Sequence, residues 1–197
     1  MKIVVFGHSY VRDLKLFCLN NNITSVKVSQ NISLELKFSF VSGATFNKFI
    51  TDTSLLTELF ENPPQIVLVI LGGNDIRTDT DLTRVREDCK EFYGLLRLHL
   101  PDTYIIATQI ESRYLVTANK FKTPPSLEFT RLSNYFNHWL NKQKFKDRLL
   151  CIRGSGRLCN PSLYRDGVHL NSKGLTVFWD LTRKVLVDTC LNKLKIQ

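Results

Sequence analysis

A glycine, a histidine and a serine stand together at Gly7-His8-Ser9, directly after the apolar run Lys2 to Phe6, and an aspartate and a histidine stand three apart at Asp166 and His169. A serine hydroxyl becomes a nucleophile when a base takes its proton. A histidine serves as that base when a carboxylate fixes its tautomer and stabilises the imidazolium that forms. These residue types suffice for nucleophilic chemistry, provided the fold brings the two ends of the sequence together.

Two further segments could assist. Ser42-Gly43-Ala44-Thr45 contains a glycine, which lets backbone approach a ligand and presents an unobstructed N–H. Leu71-Gly72-Gly73-Asn74-Asp75-Ile76 carries the side-chain amide of Asn74, a neutral donor suited to a developing oxyanion, and Asp75, which could fix the loop by accepting backbone N–H bonds. The backbone N–H of Ser9, at the start of a helix, would favour negative charge at the same place. Each segment also has a plainer reading. Ser9 could be only a helix N-cap, Gly43 a tight-turn glycine, and Gly72 to Asp75 a polar turn. Asp166 could cap a turn beside a surface-exposed His169.

The elements that must position these residues follow from the hydrophobic pattern. Strands are expected at Lys2 to Phe6, Leu34 to Val41, Ile66 to Leu71, Tyr104 to Thr108 and Leu149 to Ile152. The alternation of Leu34 to Val41 predicts one wetter face and a place near a sheet edge. Helices are expected at Val11 to Leu19, at Thr45 to Phe60, from the caps Asp79-Thr80-Asp81 to Leu100, at Leu127 to Leu140 and at Ser172 to Leu194. Strands separated by helices imply parallel pairing and right-handed crossovers. The fold class is therefore α/β, a three-layer α/β/α sandwich of about five parallel strands, in a single domain spanning residues 1–197. Ligands bind such sheets beyond the carboxyl ends of the strands, where Ser9, Gly43 and Asn74 fall.

Composition narrows the setting. No apolar run is long enough for a transmembrane segment, and the opening Met-Lys-Ile-Val-Val-Phe is too short for a signal peptide. The five cysteines, Cys18, Cys89, Cys151, Cys159 and Cys190, form no C-x-x-C pair. They read as reduced, mostly buried thiols and not as a disulfide framework or zinc site, which predicts an intracellular (cytoplasmic or nuclear) location. The net charge of +9 points to an anionic partner, whether nucleic acid, an anionic membrane or an acidic substrate, or else to a generally basic surface with no dedicated partner.

Taken in order, Gly7-His8-Ser9, Gly43, Gly72-Gly73-Asn74-Asp75 and Asp166-Gly167-Val168-His169 resemble the four blocks of the SGNH/GDSL hydrolase family. The resemblance spans Phe6 to Gly174, and Asp166 to Gly174 matches the last block especially well. It implies a flavodoxin-like sheet of order 2-1-3-4-5 and a serine esterase, lipase, acetylhydrolase or thioesterase that needs no cofactor and no metal. Carried over residue by residue, Ser9 is the nucleophile, His169 the general base and Asp166 its orienting carboxylate. The oxyanion hole is Ser9 N–H, Gly43 N–H and the Asn74 side chain. The family's first block usually reads Gly-Asp-Ser. A histidine cannot accept the same backbone N–H bonds as that carboxylate, so His8 implies reduced or retuned activity. A looser similarity, to retroelement-encoded esterase domains, would suit the basic charge.

The remaining features have blander readings. His99 is expected to be structural or exposed, and His138 to be a packing residue. The segment Glu111 to Ser126, with Arg113, Tyr114, Lys120, Phe121, Lys122, Pro124 and Pro125, follows the fourth strand. It reads as a lid or substrate-selecting loop, as a solvated connector, or as a stacking surface for single-stranded nucleic acid. Hydrolysis of a small-molecule or lipid ester is thus the leading expectation. A weakened hydrolase scaffold that binds nucleic acid or anionic membrane through its basic surface is the alternative.

Overall fold

β1 (Lys2–Gly7) is apolar on both faces and lies in the middle of the sheet. The computed structural model describes residues 1–77, 80–111, 113–114, 126–143, 147–150 and 157–192. After β1 come α1 (Ser9–Asn20), β2 (Ser25–Lys27), β3 (Ser33–Phe40), α2 (Phe46–Thr51), a 3₁₀ turn (Thr53–Leu56), α3 (Thr57–Glu61) and β4 (Ile66–Ile70). The chain continues through α4 (Leu82–His99), β5 (Tyr104–Thr108), α5 (Ser126–Asn141), β6 (Arg148–Leu150), a 3₁₀ turn (Pro161–Leu163) and α6 (Ser172–Asn192).

The sheet order is β2-β3-β1-β4-β5-β6. The pairs from β3 to β6 are all parallel, which reproduces the expected five strands and their order. The sixth strand is a correction. β2 pairs antiparallel with β3 and covers the edge that β3 was expected to occupy. The wet face of β3 arises from Glu35 and Lys37, while Leu34 and Leu36 are buried.

Alternation along the buried strands divides the core between two faces. Ile3, Val5, Ile66, Leu68 and Ile70 pack toward α1 and α6, with Val11, Leu14, Phe178 and Leu186. Val4, Phe6, Val67, Val69 and Leu71 pack toward α2–α5, against Phe46, Phe49, Phe92, Phe129 and Phe136. The phenylalanines meet as close ring pairs, such as Phe6 with Phe49 at 4.7 Å between centroids. Not every predicted core residue is inside: Leu16 and Leu19 of α1 are exposed.

The helix expected over Thr45 to Phe60 is broken into three pieces. Thr51-Asp52-Thr53-Ser54 is the cause, because these side chains compete for backbone and local polar partners. The Thr51 hydroxyl bonds back to the Asn47 carbonyl, and the Ser54 hydroxyl donates to the Asp52 carboxylate. Of the fifth predicted strand, Cys151 and Ile152 lie outside the described residues, as does Leu194 at the end of the last helix. Cys18, Cys89 and Cys190 are buried and Cys159 is exposed, all four as free thiols. Among the described residues, no helix is long and apolar enough to cross a membrane.

Candidate active site

Three adjacent strands end at one level and release the site loops together. Gly7 is in register with Phe40 of β3 and with Ile70 of β4. The Val41 N–H then donates to the Gly7 carbonyl, and the His8 N–H to the Ile70 carbonyl. Ser9, Gly43 and Asn74 therefore leave the same sheet edge from β1, β3 and β4. Gly7 permits the crowding: a Cβ there would lie 1.9 Å from the Ile70 carbonyl oxygen, and its φ is +152°.

Ser9 is the first residue of α1 and not its cap. The cap is His8, whose Nδ1 accepts from the Tyr10 N–H at 3.3 Å. The neutral ring thus accepts one backbone N–H at the turn that carries Ser9. Burial above all, then the Arg113 charge and the nearness of the His169 ring, push its pKa down to about 3, so the ring stays neutral. Ser9 N–H, as the first of the helix, has no intrahelical acceptor and lies at the positive end of the helix dipole.

The structure joins Ser9, His169 and Asp166 in one line. Ser9 Oγ lies 3.2 Å from His169 Nε2, and His169 Nδ1 lies 2.8 Å from Asp166 Oδ2. Asp166 Oδ1 accepts the backbone N–H of Val168 at 2.9 Å and of His169 at 2.6 Å. Partial burial works to raise the Asp166 pKa. The bonds from the His169 backbone, the His169 ring and Val168 outweigh it and hold the carboxyl below the ordinary range. With the carboxylate on Nδ1–H, the lone pair of Nε2 faces the serine hydroxyl.

The loop bearing Asp166 and His169 is closed on itself. Arg165 N–H donates to the His169 carbonyl, Asn171 N–H to the Leu163 carbonyl, and Tyr164 bridges Leu170. It is also tied to α1. The Tyr10 hydroxyl donates to the Val168 carbonyl, and Arg165 reaches the buried carboxylate of Asp13 at 2.8 Å, which Arg12 also contacts. Sequence reasoning passed over Tyr10, Asp13 and Arg165. The aromatic residue directly after the serine was the available signal for Tyr10, while Asp13 resembled any polar helical residue.

The other two loops are tied to each other. Asn74 Nδ2 donates to the Ala44 carbonyl at 3.1 Å, and Asp75 Oδ1 accepts the Phe46 N–H at 3.1 Å. Gly43 has φ +74°, a conformation in which glycine carries no steric penalty, and a Cβ there would meet nothing. The reading of Asp75 as a loop anchor holds. Its other oxygen, Oδ2, is buried without a hydrogen bond, and burial raises its pKa to about 7 against the opposing bond from Phe46.

A cleft of mixed character at the ends of β4 and β5 is lined by His8, Tyr10, Ile70, Ile110, Arg113 and Phe178, among others. Arg113 and Tyr114 are turned into the protein: the guanidinium lies 4.5 Å from the Phe129 ring centre, and Tyr114 packs on Tyr164. Lys120, Phe121, Lys122, Pro124 and Pro125 lie outside the described residues. His99 is structural, stacked on Phe60 at 4.3 Å, whereas His138 is exposed on α5 and not packed as expected.

No protein-family model and no curated protein matches the chain by sequence. The structural likeness is extensive. A GDSL-like lipase from Bacteroides thetaiotaomicron superposes with TM-score 0.66 over 96% of this chain and 88% of that one, at 14% identity. A lipase/acylhydrolase from Enterococcus faecalis gives 0.68 over 94% and 95%, at 14% identity. A carbohydrate esterase family 3 protein from Talaromyces cellulolyticus gives 0.64 over 95% and 97%, at 16% identity. The fold is that of the SGNH/GDSL hydrolases.

Proposed function

We propose that this SGNH-fold chain is a serine carboxylic-ester hydrolase working through an acyl-Ser9 intermediate. The observation that carries the reading is the unbroken line from Ser9 Oγ through the His169 ring to Asp166, at 3.2 and 2.8 Å. Solved neighbours named as lipases, acylhydrolases and a carbohydrate esterase support ester substrates.

In this mechanism His169 Nε2 takes the Ser9 proton as Oγ attacks the ester carbon. Asp166, ionised by its low pKa, stabilises the imidazolium. The carbonyl oxygen gains the negative charge and receives the Ser9 N–H, the Gly43 N–H and the free hydrogen of Asn74 Nδ2. As the intermediate collapses, His169 passes the proton to the departing alkoxide. It then takes a proton from water, which attacks the acyl carbon, and returns that proton to Ser9 Oγ as the carboxylic acid leaves.

The test compares the wild type with Ser9→Ala on p-nitrophenyl esters of short and medium chain length, with a fluorophosphonate label in parallel. Turnover and labelling should both vanish in Ser9→Ala while the fold persists. Asn74→Ala should lower kcat by about 10² to 10³. Activity retained in Ser9→Ala refutes the assignment. A folded wild type with neither turnover nor label would favour a binding role for the basic surface.

A further inference from the structure

Arg113 is turned toward the Asn74 amide, which rests between two anchors. Arg113 NH2 donates to the Gly73 carbonyl at 2.7 Å and reaches Asn74 Oδ1 at 3.5 Å. The second distance is long, so its effect is the pull of a fixed cation on the amide dipole more than a tight hydrogen bond. The guanidinium is itself fixed. Its face lies over Phe129, and burial lowers its pKa from the usual arginine value, against the raising influence of Tyr10 and Asp166. The neighbouring Tyr114 N–H donates to the Gly167 carbonyl at 2.8 Å, which ties this segment to the loop bearing Asp166 and His169.

An asparagine amide has two orientations related by a half-turn. In the observed one, Oδ1 faces the guanidinium and Nδ2 donates to the Ala44 carbonyl. The reverse would put a carbonyl against the Ala44 carbonyl and an NH₂ against the cation. Ala44 alone selects the orientation by one bond, and Arg113 adds a charge that opposes the flip from the other side. One hydrogen of Nδ2 is spent on Ala44 and the second is left for substrate.

We propose that Arg113 is a positioning residue that holds the Asn74 amide in its donating orientation. The proposal rests on the oxyanion role given to Asn74 above. Lysine does not replace arginine fully, because a single ammonium keeps the charge and the Gly73 bond but lacks the planar fork.

A double-mutant cycle separates this from a purely structural role. Arg113→Met should lower kcat on p-nitrophenyl acetate about 10- to 100-fold with KM unchanged, a fraction of the loss expected for removing the donor itself. Arg113→Lys should fall between it and the wild type. In the Asn74→Ala background, Arg113→Met should cost less than about twofold, since residues acting as a unit are non-additive. An equal loss in both backgrounds, or an effect on KM alone, overturns the proposal. A second readout needs no turnover: the side-chain NH₂ resonances of Asn74, assigned by their absence in Asn74→Ala. They should shift and broaden in Arg113→Met, or in Arg113→Lys should the methionine variant fail to fold, and an unmoved pair overturns the proposal. A wild type that neither turns over nor labels sinks the esterase reading and leaves the resonances to decide the positioning.

Discussion

Replacing Asp75 by Asn should make the protein more stable at neutral pH and cost it about 1 to 3 kcal/mol in acid. Asp75 Oδ1 accepts the Phe46 N–H while Oδ2 is buried with no hydrogen bond, and the carboxyl pKa rises from 3.8 to about 7 on folding. Between these values the folded chain holds a proton that the unfolded chain has released. Stability therefore falls as pH rises through that window, with a limiting slope of about 1.4 kcal/mol per pH unit. The difference between 3.8 and about 7 corresponds to about 4 kcal/mol once the group is fully ionised in both states. Asparagine keeps an acceptor for Phe46 and does not titrate. Its NH₂ in place of Oδ2 costs about 1 to 3 kcal/mol if left unpaired, and that cost is the same at every pH. Urea unfolding of both proteins from pH 4 to pH 8 isolates the effect, because other titrating groups cancel in the difference. The difference should turn in favour of Asp75→Asn with rising pH, by about 4 kcal/mol across the window. A difference that stays flat would mean that Asp75 ionises as readily in the fold as out of it, and would refute the burial argument.

Two other perturbations follow from the same geometry. Tyr10→Phe removes the hydroxyl that holds the Val168 carbonyl, so it should lower stability by about 1 kcal/mol. It should also slow turnover and fluorophosphonate labelling about tenfold, by letting the His169 ring drift from Ser9; unchanged labelling would show the brace to be dispensable. Gly7→Ala forces a Cβ to 1.9 Å from the Ile70 carbonyl oxygen. The β1–β4 pairing must open, and a loss of about 3 kcal/mol is expected from backbone strain; a melting temperature equal to wild type would contradict the close approach.

The parts of this site legible in sequence are those with a local signature. Ser9 and Asn74 follow strands whose Ile- and Val-rich runs announce burial, and Asp166 and His169 share one short loop. Parallel pairing was legible because the strands alternate with helices, whereas the sheet order came from the family resemblance. β2 was missed because three residues, only one of them buried, carry no period. The break in Thr45 to Phe60 was missed because apolar residues on both sides of Asp52 kept the spacing of a single helix. Arg113 was illegible for a deeper reason. Its partners, Gly73, Asn74 and Phe129, come from segments that only the folded sheet brings together, so the residue resembled a surface cation. The cap made by His8 was not legible because it rests on the lone pair of a neutral ring, which the residue type alone does not announce.

Ser9 and His169 are separated by 160 positions in the sequence. During translation at about 5 to 20 residues per second, Ser9 is made roughly 8 to 30 seconds before His169. Throughout that interval the nascent chain has the Ser9 hydroxyl without the His169 ring. The loop that carries His169 is held in place by α1 and precedes α6. A chain truncated before that loop carries the turn, the glycines and the asparagine without Asp166 and His169. If the site works as proposed, turnover and reagents that label Ser9 report on chains whose synthesis has passed His169, and pass over shorter ones.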